Sequence, residues 1–231
     1  MKAILLDIEG TTTPIEFVHH VLFPFARNRM PGYVATNFES LASEIEQLIA
    51  DHEKDLSYKD HFDRTSRKSV AKYLGFLISE DRKSTPLKSI QGKIWKEGYE
   101  SGELKSVVFD DVPRAFERWE ADGKAIAIFS SGSVLAQKLL FRYTDHGDLG
   151  PFITSYFDTN IGPKRDPKSY IAIAAQLDAE PGEILFVSDI VPELDAARIA
   201  GLAVALAVRP GNAPIETDVS YQVITTFDGL E

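Results

Sequence analysis

Apolar positions along the chain fall into two kinds of pattern. The stretches 2–7, 124–130, 183–188 and 202–208 are apolar or β-branched on both alternating faces. Strands buried on both sides read this way, and helical patterns between most of them call for βαβ crossovers. The expectation is therefore an α/β fold with a doubly wound, Rossmann-like parallel sheet, to which the run 152–157 offers a fifth strand. One crossover helix is well punctuated. Asp166 can cap it, Pro167 suits its first position, and Tyr170, Ile171, Ala174 and Leu177 form its apolar stripe, with a turn at 178–182 behind it.

Between residues 15 and 105 the period changes to that of amphipathic helices. Leu41, Ile45, Leu48 and Ile49 make one stripe and Val70, Tyr73, Leu74 and Leu77 another, with hardly any strand signal. This pattern implies a helical cap domain, 15–105, inserted after the first strand of a core made of 1–14 and 106–231. The charged positions Asp51, Glu53, Lys54 and Asp55 read as its solvated face. No internal repeat or low-complexity tract is visible.

Composition narrows the function classes. A chain of 231 residues with 44% hydrophobic and 26% charged residues can bury a core and carry a smaller insert. The absence of cysteine excludes disulfides, thiolate catalysis and thiolate zinc sites, and suits a reducing cytoplasm. A net charge of −10 argues against nucleic-acid or anionic-membrane partners, which need clustered Lys and Arg. It leaves room for one small phosphorylated substrate held by local groups. No segment approaches the roughly 18 to 20 apolar residues of a membrane span, so a soluble cytoplasmic protein is expected.

The chemistry gathers at strand ends, the usual ligand address in open parallel sheets. Asp7-Ile8-Glu9-Gly10-Thr11 ends the first strand and Ser130-Ser131-Gly132-Ser133 the second. Lys164 precedes Asp166-Pro167, and Ser188-Asp189, with Glu193 close behind, ends the strand after that. Taken singly these are a turn acid, an N-cap turn, a surface lysine and a first-turn helix acid. Taken in order they suffice for metal-assisted phosphoryl transfer through an aspartyl-phosphate. Asp7 would attack phosphorus, and Asp7 with Asp189 would hold a divalent cation. Ser130 and the N–H groups of its turn would bind phosphate oxygens while Lys164 neutralises charge. A general or phosphosugar phosphatase and an aspartyl-phosphate signalling module share this set, although an insert of such length is more typical of a functional lid.

The order and spacing of these clusters resemble the haloacid dehalogenase-like hydrolase superfamily, and further motifs resemble the enolase-phosphatases of methionine salvage. These are Asp7 through Pro14 (DIEGTTTP), Ser130-Ser131-Gly132-Ser133 continuing into Ala136 to Phe141, Phe157-Asp158-Thr159, Asp81 through Lys88, Gln91 through Trp95, and Val208 through Ala213. The resemblance covers residues 3 to about 228. It implies one Mg2+ per chain, held by Asp7, Asp189 and the backbone carbonyl of Glu9, with Ser130, Ser131 and Lys164 binding substrate. It also implies a monomer that enolises 2,3-diketo-5-methylthiopentyl-1-phosphate and then releases phosphate. Glu9 stands where the wider superfamily commonly has aspartate, in keeping with this narrower family. One methylene more of reach suits it to proton transfer in both half reactions. Arg82, Lys83, Lys88, Lys93, Trp95 and Tyr99 lie in the most family-like part of the insert, Trp95 reading as packing. His19, His20, His52, His61 and His146 show no metal-ligand spacing.

Overall fold

The computed structural model describes residues 1–80, 82, 84–214 and 220–230. Contacts divide the chain into two compact units, Met1–Val18 with Lys105–Glu231, and His19–Leu104. In chain order, β1 (Ala3–Leu6) leads into one helical turn, α1 (Ile15–Phe17), a π-helical stretch Val18–Leu22, and the helices α2 (Phe23–Asn37), α3 (Ala42–Lys54), α4 (Arg67–Ser79) and α5 (Thr85–Glu100). Then follow α6 (Asp111–Ala121), β2 (Ala125–Phe129), α7 (Val134–Arg142), β3 (Ile153–Phe157), α8 (Pro167–Gln176), β4 (Ile184–Ser188), α9 (Val191–Ile199), β5 (Ala203–Ala207) and β6 (Gln222–Ile224).

In the first unit all strands pair in parallel, in the order β3-β2-β1-β4-β5-β6. Central β1 aligns Ala3 with Ala125 on one side and with Ile184 on the other. Alternation then sends its side chains to two separate cores. Ile4 and Leu6 pack with Val112, Phe116 and Trp119 of α6 and Phe141 of α7. Ala3 and Leu5 pack with Tyr170 and Ile173 of α8 and Leu194 of α9. Both faces are covered, so all four residues of β1 are buried, each large side chain contributing about 1.5–3 kcal/mol by removal from water. Trp119 is fully buried and satisfies its Nε1–H on the Leu230 carbonyl at 3.1 Å.

Two details differ from the sequence pattern. A sixth strand, β6, sits at the sheet edge; it has three residues, two of them exposed, and so lacks the apolar run that marks the others. On α8, Asp166 caps as expected by accepting from Lys168 N at 2.9 Å, but Ile171 faces solvent and Ile173 takes its place in the core.

The second unit is helical. Leu41, Ile45 and Leu48 are buried, as are Val70, Tyr73, Leu74 and Leu77 of α4. Ser66 caps α4 and Ser84 caps α5, each hydroxyl accepting a main-chain N–H three residues on. Trp95 is buried and donates to the Leu22 carbonyl at 2.8 Å. Two of the acids expected at the solvated face are partnered instead. Asp51 accepts from Ser84 Oγ at 2.6 Å, and Asp55 faces Arg82 at 3.5 Å. A further buried acid, Glu44, accepts from Lys93 Nζ at 2.6 Å and Ser89 Oγ at 2.7 Å. Asp81 and Lys83 lie outside the described residues. Among those described, no helix is long and apolar enough to cross a membrane.

Candidate active site

β1 delivers Asp7 at its carboxyl end, buried and tied to the neighbouring strand through its main-chain N–H to the Val187 carbonyl at 3.0 Å. Asp7 Oδ1 accepts the N–H of Ile8 at 2.8 Å. Its Oδ2 accepts from Ser188 Oγ at 3.2 Å and from Lys164 Nζ at 2.7 Å. Beyond Asp7 the chain folds into a tight loop around one carbonyl: the N–H groups of Thr11, Thr12 and Thr13 all point at Ile8 O, at 3.2, 2.9 and 2.9 Å. Gly10 makes this possible with φ +68°, a conformation costly for a side chain, and a Cβ there would lie 2.4 Å from Asp189 Oδ2. Glu9 is carried half-buried at the head of this loop.

Lys164 links the strand ends electrostatically. Its ammonium lies 2.7 Å from Asp7 and 2.6 Å from Glu193, with the three side chains 9%, 7% and 11% exposed. Burial alone would push the lysine down, but the charges of Asp7 and Glu193 outweigh it and hold Lys164 above its ordinary value. Glu193 is pushed up, by burial first and then by the Asp7 charge. Ser188 Oγ stands within hydrogen-bond reach of both acids, at 3.2 and 3.1 Å, and one hydroxyl proton serves one of them at a time. Tyr170 fixes the backbone of the lysine by donating to the Lys164 carbonyl at 2.6 Å.

At the end of neighbouring β2, Ser130 N bonds the Phe157 carbonyl at 3.1 Å and Ser130 Oγ accepts from Gly132 N at 3.2 Å. Ser131 is exposed in the turn, and Ser133 caps α7 by accepting from Ala136 N at 3.3 Å. Buried Gln137 braces the turn, its amide donating to the carbonyls of Gly132 and Phe157 at 2.8 Å each. Small hydroxyls ahead of a helix N-terminus make a natural phosphate cradle.

Asp189 completes the set after β4. Burial, then the charge of Asp7, pushes its carboxyl up to about 7, and its Oδ1 is buried without a hydrogen-bond partner. An acid whose ionisation the neighbouring Asp7 charge opposes, and which carries an orphaned oxygen, is suited to share a divalent cation with Asp7. Their donors are hard oxygens, as Mg2+ requires. Among the described residues no three His or acid side chains gather around one point. Mg2+ usually takes one or two carboxylates and leaves its remaining positions to water and phosphate, and Asp7 and Asp189 offer two.

Asp7, Lys164 and Asp189 thus meet at the carboxyl ends of β1 and β4, with Ser130 and Ser131 on the adjoining strand end. Glu193 is the first-turn acid of α9 that the pattern suggests, and it is also the second partner of Lys164, a role the pattern did not show. Its signal was its place four residues beyond Asp189, at the same strand end. The histidines play other parts: His52 packs with Tyr58, Phe62 and Tyr73, and His146 faces Asp110 and Asp145.

The haloacid dehalogenase-like hydrolase family model matches residues 1–201. The chain is 50% identical to Enolase-phosphatase E1 of Synechococcus elongatus, covering 100% of this chain and 98% of the relative. It is 47% identical to Enolase-phosphatase E1 of Drosophila willistoni, over 100% and 97%. The crystal structure of the UTR4 protein of Saccharomyces cerevisiae superposes with a TM-score of 0.84 at 37% identity, over 99% of each chain.

Proposed function

The chain belongs to the enolase-phosphatase E1 family of haloacid dehalogenase-like hydrolases, and from that premise we propose how it acts as a phosphatase on a small phosphorylated diketone. The substrate is 2,3-diketo-5-methylthiopentyl-1-phosphate, and the products are the acireductone 1,2-dihydroxy-3-keto-5-methylthiopentene and inorganic phosphate. The observation that carries the reading is Lys164 lodged between Asp7 and Glu193 at 2.7 and 2.6 Å. That contact sets a buried carboxylate against a cation at the strand end where phosphoryl transfer needs a nucleophile.

Glu9 removes a proton from the carbon bearing the phosphate ester, next to the ketone, and the ketone oxygen takes a proton from solvent to give the enol; Glu9 returns one proton to solvent at the end of the cycle. A carboxylate oxygen of Asp7 then attacks phosphorus, and the phosphorus–oxygen bond to the enol breaks. Protonated Glu9 supplies the proton that the leaving oxygen needs. Water next attacks the aspartyl-phosphate, giving its proton to Glu9 and restoring Asp7. Ser130, Ser131 and Lys164 bind the phosphate oxygens throughout. Family members are generally magnesium-dependent, and here Asp7, Asp189 and the Glu9 carbonyl would hold one Mg2+, which supplies charge neutralisation at the phosphoryl group. Residues 15–105 act as the cap that selects substrate. The expected form is a cytoplasmic monomer.

The test offers the diketo phosphate with magnesium and follows ultraviolet absorption and free phosphate together. Both signals should appear in sequence. Phosphate release with no new absorption would replace this reading with a general phosphatase. Glu9→Gln should slow both phases, and wild-type rates in both would remove Glu9 from the mechanism.

A further inference from the structure

The turn after β5 carries Arg209, Pro210, Gly211 and Asn212, and the chemistry above uses none of them. Its side chains nevertheless reach back to the loop that holds Glu9. Arg209 Nε donates to the Thr11 carbonyl at 3.0 Å, and Asn212 Nδ2 donates to the Gly10 carbonyl at 2.9 Å and the Ala207 carbonyl at 3.3 Å. Two consecutive carbonyls of the loop are therefore fastened from residues 198 and 202 positions further along the chain.

The orientation of the Asn212 amide follows from these contacts. Both groups facing its Nδ2 are carbonyls, which accept and cannot donate, so Oδ1 must point the other way. There it is buried without a partner, 3.0 Å from the place where a Gly10 Cβ would sit. Asp189 Oδ2 lies 2.4 Å from the same point.

The loop needs this fastening for a physical reason. Its N–H groups are satisfied internally, by Thr13 O for Gly10 and by Ile8 O for the three threonines. The Gly10 carbonyl points outward to Asn212. Glycine has the weakest torsional restraint of any residue; the bond from Asn212 fixes the Gly10–Thr11 peptide on one side of it, while the bond from Gly10 N–H to Thr13 O fixes the Glu9–Gly10 peptide on the other.

We infer that Asn212 is a positioning residue for Gly10: by pinning the Gly10 carbonyl it fixes the torsion of the residue that follows Glu9, and so keeps Glu9 in register with Asp7 and Asp189. The inference rests on the roles given to Glu9 above. Arg209 is a poorer probe, because it also forms a buried ion pair with Asp111 at 2.8 Å and donates to the Thr225 carbonyl. Asn212 is in none of the described ion pairs, and its second donation, to the Ala207 carbonyl at 3.3 Å, stays within its own turn.

The test uses the full chain with Asn212→Ala and Asn212→Asp, the latter keeping the volume but losing the donor to Gly10. Calorimetric titration of metal-free protein with magnesium chloride should show Asn212→Ala binding about 10- to 100-fold more weakly, as for other residues that orient metal ligands. At saturating magnesium, kcat on the diketo phosphate should fall about 100-fold in both variants while KM stays within about threefold. Rescue of neither signal by lowering the temperature well below the melting transition separates positioning from stability. A folded Asn212→Ala with magnesium affinity and kcat within about twofold of wild type would overturn the inference. So would failure of both variants to fold, which would make Asn212 a structural residue. If the wild type itself released no phosphate, the parent reading would fail, while the magnesium titration would still judge Asn212.

Discussion

Lys164→Met deletes one ammonium and keeps most of the side-chain stem, so its effect isolates the charge at the centre of the site. The native cluster holds Asp7, Lys164 and Glu193, with contacts at 2.7 and 2.6 Å and side chains 11% exposed or less. At an effective dielectric of about 20 each contact is worth about 6 kcal/mol before desolvation is subtracted. Removing one partner of a buried pair typically costs about 3–5 kcal/mol, because the remaining charge is left uncompensated. Here two carboxylates are left facing each other across the Ser188 hydroxyl. The expected loss is therefore at the upper end of that range. Glu193→Gln alone leaves the Asp7–Lys164 pair neutral and should cost only about 1 kcal/mol. Glu193→Gln added to Lys164→Met removes one of the two opposed charges and should recover about 2 kcal/mol of the loss. The assay is urea unfolding at pH 8 with EDTA, so that no divalent cation substitutes for the lysine. Trp119, buried in the same unit as the cluster, is the reporter in a Trp95→Phe background. Strict additivity of the two substitutions, or a Lys164→Met variant as stable as the wild type, would refute the reasoning.

Three further outcomes are expected. Asp7→Asn should abolish phosphate release while circular dichroism stays unchanged, since the volume is kept and Asn Oδ1 can still accept a hydrogen bond; turnover in that variant would displace Asp7 as nucleophile. Chelation by EDTA should stop phosphate release, and excess magnesium should restore it in full, as followed by a colorimetric phosphate assay. In the second unit, burial raises the Glu44 carboxyl but the hydrogen bonds from Lys93 and Ser89 outweigh it, holding the group below its ordinary 4.5. The folded state therefore binds fewer protons than the unfolded chain. Its stabilising contribution is complete above the ordinary value and is lost as pH falls through the lower folded one. Glu44→Gln should cost about 1 kcal/mol at pH 7 and flatten the acid limb of a urea-midpoint profile; an unchanged profile would remove Glu44 from the account.

How far the sequence reaches can be judged residue by residue. β1, β2, β4 and β5 were legible because a strand covered on both faces must be apolar along its length, whereas β3, an edge strand with Thr154 exposed, shows only as a shorter run. β6 was not, because an edge strand of three residues obeys no such demand. At the site the same contrast holds on a smaller scale. Asp7, Ser130, Lys164 and Asp189 announce themselves by standing at strand ends, a position that chain order alone supplies. Which acid Lys164 selects besides Asp7 is a matter of distance, and Glu193 becomes visible as a partner only when α9 starts beside β4 and brings it to 2.6 Å. Tyr170, Gln137 and Asn212 lie further from reach still. Each acts through a backbone carbonyl, at Lys164, at Gly132 and Phe157, and at Gly10. Carbonyls are common to every residue, so no side-chain pattern marks which of them will need a donor. The reactive groups are thus written in residue type, while the groups that hold them still are written in tertiary geometry. A substitution chosen from motifs alone would test the first set and leave the second untouched.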